Sequence, residues 1–164
     1  MKTEWISKWM WVVARLSLGW IFLWAFFDKL WGLGFNTAPD KAWIVGGSPT
    51  MGFLSFATTG PFAELFKSMA GNVFIDILFM GGLLLLGVAL ILGIGMRLAG
   101  YGGAIMMLLM YLAVLPKEHN PFLDEHIVYA ALLILLAEYK TGRIFGLGTW
   151  WSKTKLVKKY PILE

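Results

Sequence analysis

Cysteine is absent from this chain of 164 residues, and histidine occurs only twice. Without thiols there is no disulfide, no thiolate metal site and no dithiol redox pair. Two histidines whose spacing to nearby acids matches no strong ligand motif leave little for a metal centre, and none is expected. Haem, flavin and iron–sulfur motifs are missing, as are low-complexity tracts and a convincing internal repeat. Glycine is plentiful, yet Gly81-Gly82, Gly87, Gly93, Gly95, Gly100 and Gly102-Gly103 lie in or between apolar runs. They form no nucleotide-binding loop and read as small residues that allow close helix packing. Charge is the remaining scarcity, at 15% of residues.

What is present is apolar. Hydrophobic residues make up 59% of the chain and mean hydropathy is +0.70, which is the composition of an integral membrane protein rather than a soluble domain. Four apolar segments emerge, at residues 9–31, 73–96, 98–115 and 127–137. The last has 11 uncharged residues, about 17 Å of helix against a hydrocarbon core of roughly 30 Å. To span, it must begin near Pro121, with Asn120 as N-cap, and run over 121–139; a re-entrant segment is the alternative. The expected architecture is therefore all-α: a single-domain integral membrane four-helix bundle. A loop at 32–72 and a basic tail at 140–164 complete it.

Orientation follows from the basic residues. One side holds Lys2, Lys8, Arg15, Arg97, Lys140, Arg143, Lys153, Lys155, Lys158 and Lys159 against Glu4, Glu138 and Glu164, a balance of +7. The other holds Lys29, Lys41, Lys67 and Lys117 against Asp28, Asp40, Glu64, Asp76, Glu118, Asp124 and Glu125, a balance of −3; together they give the chain's +4. Positive-inside logic places both termini of the given chain in the cytoplasm. The tail lysines then face anionic lipid, and nucleic acid is not needed as a partner. A cleaved signal peptide fits poorly, because Arg15 interrupts a long hydrophobic region that no small-residue cleavage site follows.

The loop at 32–72 is patterned. Ser48-Pro49 reads as a helix start and Gly60 as a stop. Phe62, Leu65, Phe66 and Met69 then recur at one-face spacing between Pro61 and Gly71, predicting an amphipathic interfacial helix with Glu64 and Lys67 towards water. Such a helix serves either as packing or as a lid over an outer pocket. The nine Trp and nine Met read mostly as interface belt and gap-filling core. Trp24 and Phe26 suit either lipid contact or the wall of a flat apolar pocket.

The first segment carries three charges, Arg15, Asp28 and Lys29. Arg15, Gly19, Phe22, Phe26 and Lys29 follow steps of four, three, four and three, one stripe of a helix. Charges within spans are costly and usually face a bundle interior. By depth, Arg15, Arg97 and Glu138 form an inner cluster, read as a structural ion cluster that fixes helix register. An outer cluster gathers Asp28, Lys29, Asp76, Asp124, Glu125 and His126, with His119 in the preceding loop and Tyr129 one turn below. Crowded carboxylates beside Lys and His are a setting for proton-coupled chemistry, although acids in a first turn also simply complement the helix dipole. Asp28, Lys29, Asp124, Glu125 and His126 are the candidate catalytic residues.

Arg15-Leu16-Ser17-Leu18-Gly19, Phe22-Leu23-Trp24-Ala25 and Lys29-Leu30 together resemble the first-span signature of the DoxX/DoxD-like membrane proteins. Asn120-Pro121-Phe122-Leu123-Asp124-Glu125-His126 is similar to the start of the last span in DoxD-type members. Four spans with a long first loop fit that family over nearly the whole chain, while Phe26 stands where many members carry a small residue. The resemblance implies a membrane subunit of a quinone-linked oxidoreductase, passing electrons from thiosulfate or another reduced sulfur compound to quinone. A direct reaction of that kind would need an anion site and acid–base groups, for which the outer cluster offers Lys29 and His126 to hold the sulfur oxyanion and Asp28, Asp124 or Glu125 to handle quinone protons. Quinone is then the cofactor, and the bilayer, a membrane or redox subunit and a second copy of the chain are the partners in view. The rival readings are a non-catalytic assembly or stabilising subunit and a small transporter.

Overall fold

The computed structural model describes residues 2–116, 120 and 122–164, with side chains from residue 4 onward. The described residues are all-helical, with no strand. The principal helices are α1 (Lys2–Trp31), α3 (Val73–Leu92), α4 (Met96–Ala113) and α5 (Glu125–Glu138), and the short helix α2 (Ala63–Lys67) lies in the loop between α1 and α3. Two further short helices, α6 (Gly148–Trp151) and α7 (Lys155–Lys159), fold the tail. Three helical stretches are long and apolar enough to cross a membrane: Glu4–Trp31, Val73–Leu92 and Met96–Ala113.

The fourth apolar segment begins later than expected. Asp124, not Asn120, is the N-cap of α5, and its carboxylate accepts the backbone N–H of His126 at 3.0 Å. Asn120 instead closes a turn, accepting from the N–H groups of Phe122 and Leu123. An Asp followed by Glu in the first turn is the better helix start, because both charges complement the N-terminal dipole. The resulting 14 residues rise about 21 Å, short of a full crossing. Pro121 and His119 lie outside the described residues.

The loop differs from its pattern in the same direction. Ser48-Pro49 does precede a helical segment, but it is a turn leading into the π-helical stretch Phe53–Ala57. The amphipathic helix shrinks to the five residues of α2, preceded by a 3-10 turn at Gly60–Phe62. Its water-facing pair is as expected, with Lys67 and Glu64 3.7 Å apart.

Close packing rests on glycine. α4 packs most extensively on α5, and α1 on α3. A Cβ on Gly100 would lie 2.6 Å from the Ala137 Cβ and 2.7 Å from the Leu133 carbonyl oxygen. One on Gly87 would lie 2.5 Å from Leu23 Cγ. The stripe of α1 faces inward as expected: Arg15, Gly19, Phe22 and Phe26 are buried and Lys29 is half-buried. Phe22 and Phe26 join Met80, Leu83, Met107 and Leu133 in one core.

Gly100→Ala is expected to pry α5 from α4 at a cost of about 1–3 kcal/mol. Gly102→Ala, where a Cβ meets nothing within 4 Å, should hold or raise stability through helix propensity. Thermal unfolding midpoints of the two variants in detergent check the contrast.

Candidate functional site

The two ends of the bundle are distinguished by what their buried charges hold. At the tail end, Arg15 is fully buried. Its guanidinium donates to the carbonyls of Leu90 at 2.6 Å and Ile91 at 3.3 Å, and also to that of Phe145. The first two carbonyls lie in the last turn of α3, where backbone acceptors lack intrahelical partners and the helix dipole is negative. The third belongs to the segment after α5. The expected ion cluster is therefore corrected. Arg15 is bound by backbone rather than by Glu138, and Glu138 accepts a 2.8 Å hydrogen bond from the Tyr101 hydroxyl. Arg97 stands instead at the rim of a separate tail-end pocket.

Glycine makes room for this arrangement. Gly93 ends α3 in the left-handed region at φ +72°, which suits a residue without a Cβ. A Cβ there would lie 2.6 Å from an Arg15 guanidinium nitrogen and 2.7 Å from Gly142 Cα. At Gly142 it would lie 2.2 Å from the Gly93 oxygen. Leu147 then donates to the Leu92 carbonyl at 2.8 Å, tying the tail segment to the same helix end.

At the loop end, carboxylates take the corresponding part towards N–H and O–H groups. Asp28 is buried and accepts from the N–H groups of Phe35 at 3.2 Å and Asn36 at 2.9 Å. Asp76, also buried, accepts from the Ser48 hydroxyl, the Thr50 N–H and the Thr50 hydroxyl, the last at 2.6 Å. The loop is thus pinned to the ends of α1 and α3, and the Thr59 N–H donates to the Ala113 carbonyl at the end of α4. The sequence offered Ser48 only as a helix start and did not single out Thr50, because a Ser-Pro-Thr run carries no signal of a distant carboxylate partner.

The remaining candidates gather on the first turn of α5. His126 Nδ1 lies 2.7 Å from Asp124 Oδ2, and their side chains are only 12% and 5% exposed. Glu125 is exposed beside them, and Tyr129 is half-buried one turn further on. One ligand atom from each of Asp124, Glu125 and His126 falls within 4.8 Å of the others, a donor set compatible in reach with a cation. The Asp124–His126 contact already engages two of those atoms with each other. Lys29 belongs to the same end of the bundle, but the hydrogen bonds of its neighbour Asp28 run to the loop rather than to α5. Of the aromatic candidates, Phe26 is core, and the Trp24 ring stands edge-on to Phe35 with centroids 5.0 Å apart.

Chemically, the α5 turn differs from the other charged sites. A carboxylate on Nδ1 orients the imidazole and, in the neutral ring, holds the proton there, leaving Nε2 as the acceptor. Asp28 and Asp76 have their acceptor capacity directed at the loop. Compared with protein-family models, with curated proteins and with solved structures, the chain matches none.

Arg15→Met is expected to leave two α3 carbonyls without their donor and to cost about 3 kcal/mol or more, at ~1–3 kcal/mol for each buried group orphaned. Arg15→Lys should recover part of that, because one ammonium cannot reproduce the planar fork. Chemical or thermal unfolding of both variants in detergent measures the difference.

Proposed function

We propose that this protein is the membrane subunit of a quinone-linked oxidoreductase, drawing electrons from thiosulfate or another reduced sulfur compound. The observation that carries the reading is the shielded Asp124–His126 pair, 2.7 Å apart, at the start of α5. In this reading α5 is a short fourth span beside α4, both termini are cytoplasmic, and the loop end faces outward. The short span draws its polar first turn below the outer surface, within reach of a quinone head group.

Quinone reduction consumes two protons with two electrons. His126, oriented by Asp124, moves protons to and from the quinone oxygen, and exposed Glu125 connects that turn to water. Half-buried Lys29 supplies the positive charge for a sulfur oxyanion. Asp28, spent on the loop, positions the end of α1 rather than acting on substrate.

A second reading has its own support. Arg15, Asp28 and Asp76 are all engaged in holding backbone or loop, which is what an assembly or stabilising subunit requires. Purification in mild detergent separates the two: bound quinone, with or without a partner, favours the oxidoreductase subunit, and a stoichiometric partner without quinone favours the scaffold.

For the enzyme, His126→Ala is expected to lower kcat for thiosulfate-dependent quinone reduction in liposomes by about 10²–10⁴-fold. Lys29→Ala should raise KM for the sulfur anion. Unchanged turnover in both variants would sink this assignment.

A further inference from the structure

At the tail end, a second polar site lies apart from the α5 turn. Arg97 at the start of α4, Lys140 just after α5 and Arg143 three residues later converge on one open pocket floored by Gly93 and Gly142. Glu164 occupies it. Its carboxylate is paired through one oxygen with Lys140 at 3.2 Å and through the other with Arg143. The Arg97 N–H donates to the Glu164 backbone oxygen at 2.9 Å. Two cations therefore pair with the Glu164 side chain while Arg97 lines the same pocket, and a further acid, Glu138, is bonded to Tyr101.

The backbone at Lys140 adds an independent observation. It lies in the left-handed region at φ +49°, and among the described residues it is the non-glycine residue that does so. Helices commonly end on glycine in that conformation, because a Cβ is disfavoured there. A lysine at this position brings its ammonium to the pocket at a conformational cost, and such outliers concentrate where a side chain is needed.

We infer that this pocket is a binding site for a phosphate-bearing anion, with the Glu164 carboxylate as its intramolecular competitor. Paired guanidinium and ammonium groups suit a phosphate group, whose non-bridging oxygens accept charge-assisted bonds in the way the Glu164 carboxylate does. The surroundings favour a lipid headgroup as its source. Trp150 is 62% exposed and Tyr160 49%, the aromatic composition of a bilayer interface. Lys153, Lys155, Lys158 and Lys159 are exposed on the same tail, and a basic segment of that kind is drawn to anionic lipid. The inference is independent of the redox chemistry proposed for the other end.

The test uses the full chain in neutral detergent, titrated with phosphatidylglycerol, phosphatidylcholine and inorganic phosphate, with bound lipid counted by native mass spectrometry. The expected result is selective retention of phosphatidylglycerol over phosphatidylcholine. Glu164→Gln should tighten it about tenfold, as for a competitor seated about nine-tenths of the time. Arg143→Gln and Lys140→Gly should each weaken it about tenfold or more, as loss of a charge-assisted bond requires. Lys140→Gly relieves the left-handed backbone, so its loss of binding with an unchanged or raised melting temperature separates recognition from folding. Inorganic phosphate that displaces the lipid identifies the phosphate group itself as the recognised moiety. Lipid binding that phosphate does not displace assigns the site to the headgroup together with its glycerol. Phosphatidylglycerol binding that is indifferent to Glu164→Gln, or that survives both Arg143→Gln and Lys140→Gly, overturns the inference.

Discussion

One buried guanidinium organises the tail end of this protein. Arg15 enters from α1 and binds carbonyls of α3 and of the segment after α5. Three elements distant in sequence thereby depend on one side chain. A cation without a carboxylate partner is tolerable there because the last turn of a helix presents unpaired acceptors and the negative end of its dipole. The glycines at 93 and 142 follow from the same constraint, since a Cβ at either would enter the space that the guanidinium and the crossing backbone occupy.

The loop end obeys the complementary rule. There the buried charges are carboxylates, and Asp28 and Asp76 close on N–H and hydroxyl groups of the segment that covers the bundle. Cation on carbonyls at one end and anion on amides at the other gives the tail segment and the long loop each a charged partner. Buried backbone polar groups need such partners, and charge-assisted bonds are the stronger kind. The rule also divides the charged residues by role. A carboxylate directed at two or three donors of its own loop is poorly placed to exchange protons with a ligand. The Asp124 carboxylate is also fully engaged, one oxygen on the His126 N–H and the other on the imidazole, but that second partner is a titratable side chain rather than loop backbone.

The two ends are then separate in chemistry as well as in space. The loop end has an imidazole oriented by a carboxylate and a half-buried lysine, the groups on which the proposed proton and anion chemistry rests. The tail end has Lys140 and Arg143 paired with Glu164 in a pocket that Arg97 also lines, the site inferred for a headgroup. Core side chains from α1, α3, α4 and α5 pack between them.

Much of this was legible in the residues themselves. The composition assigned the chain to membranes, and three helices with the required length and apolarity are present. The steps of four and three along α1 identified the face that is buried, because helical periodicity is a local property. Asp124, Glu125 and His126 could be grouped because they are consecutive. Depth alone, however, paired Arg15 with Glu138, and the start of the last helix was placed four residues early at Pro121 rather than Glu125. Those depended on tertiary structure for a physical reason. Spare backbone carbonyls appear only where a particular helix ends against a particular neighbour, and no side-chain pattern announces them. The tail-end pocket has the same origin: Arg97, the Lys140–Arg143 turn and Glu164 belong to three separate segments, which meet beside the crossing of glycine backbones at positions 93 and 142.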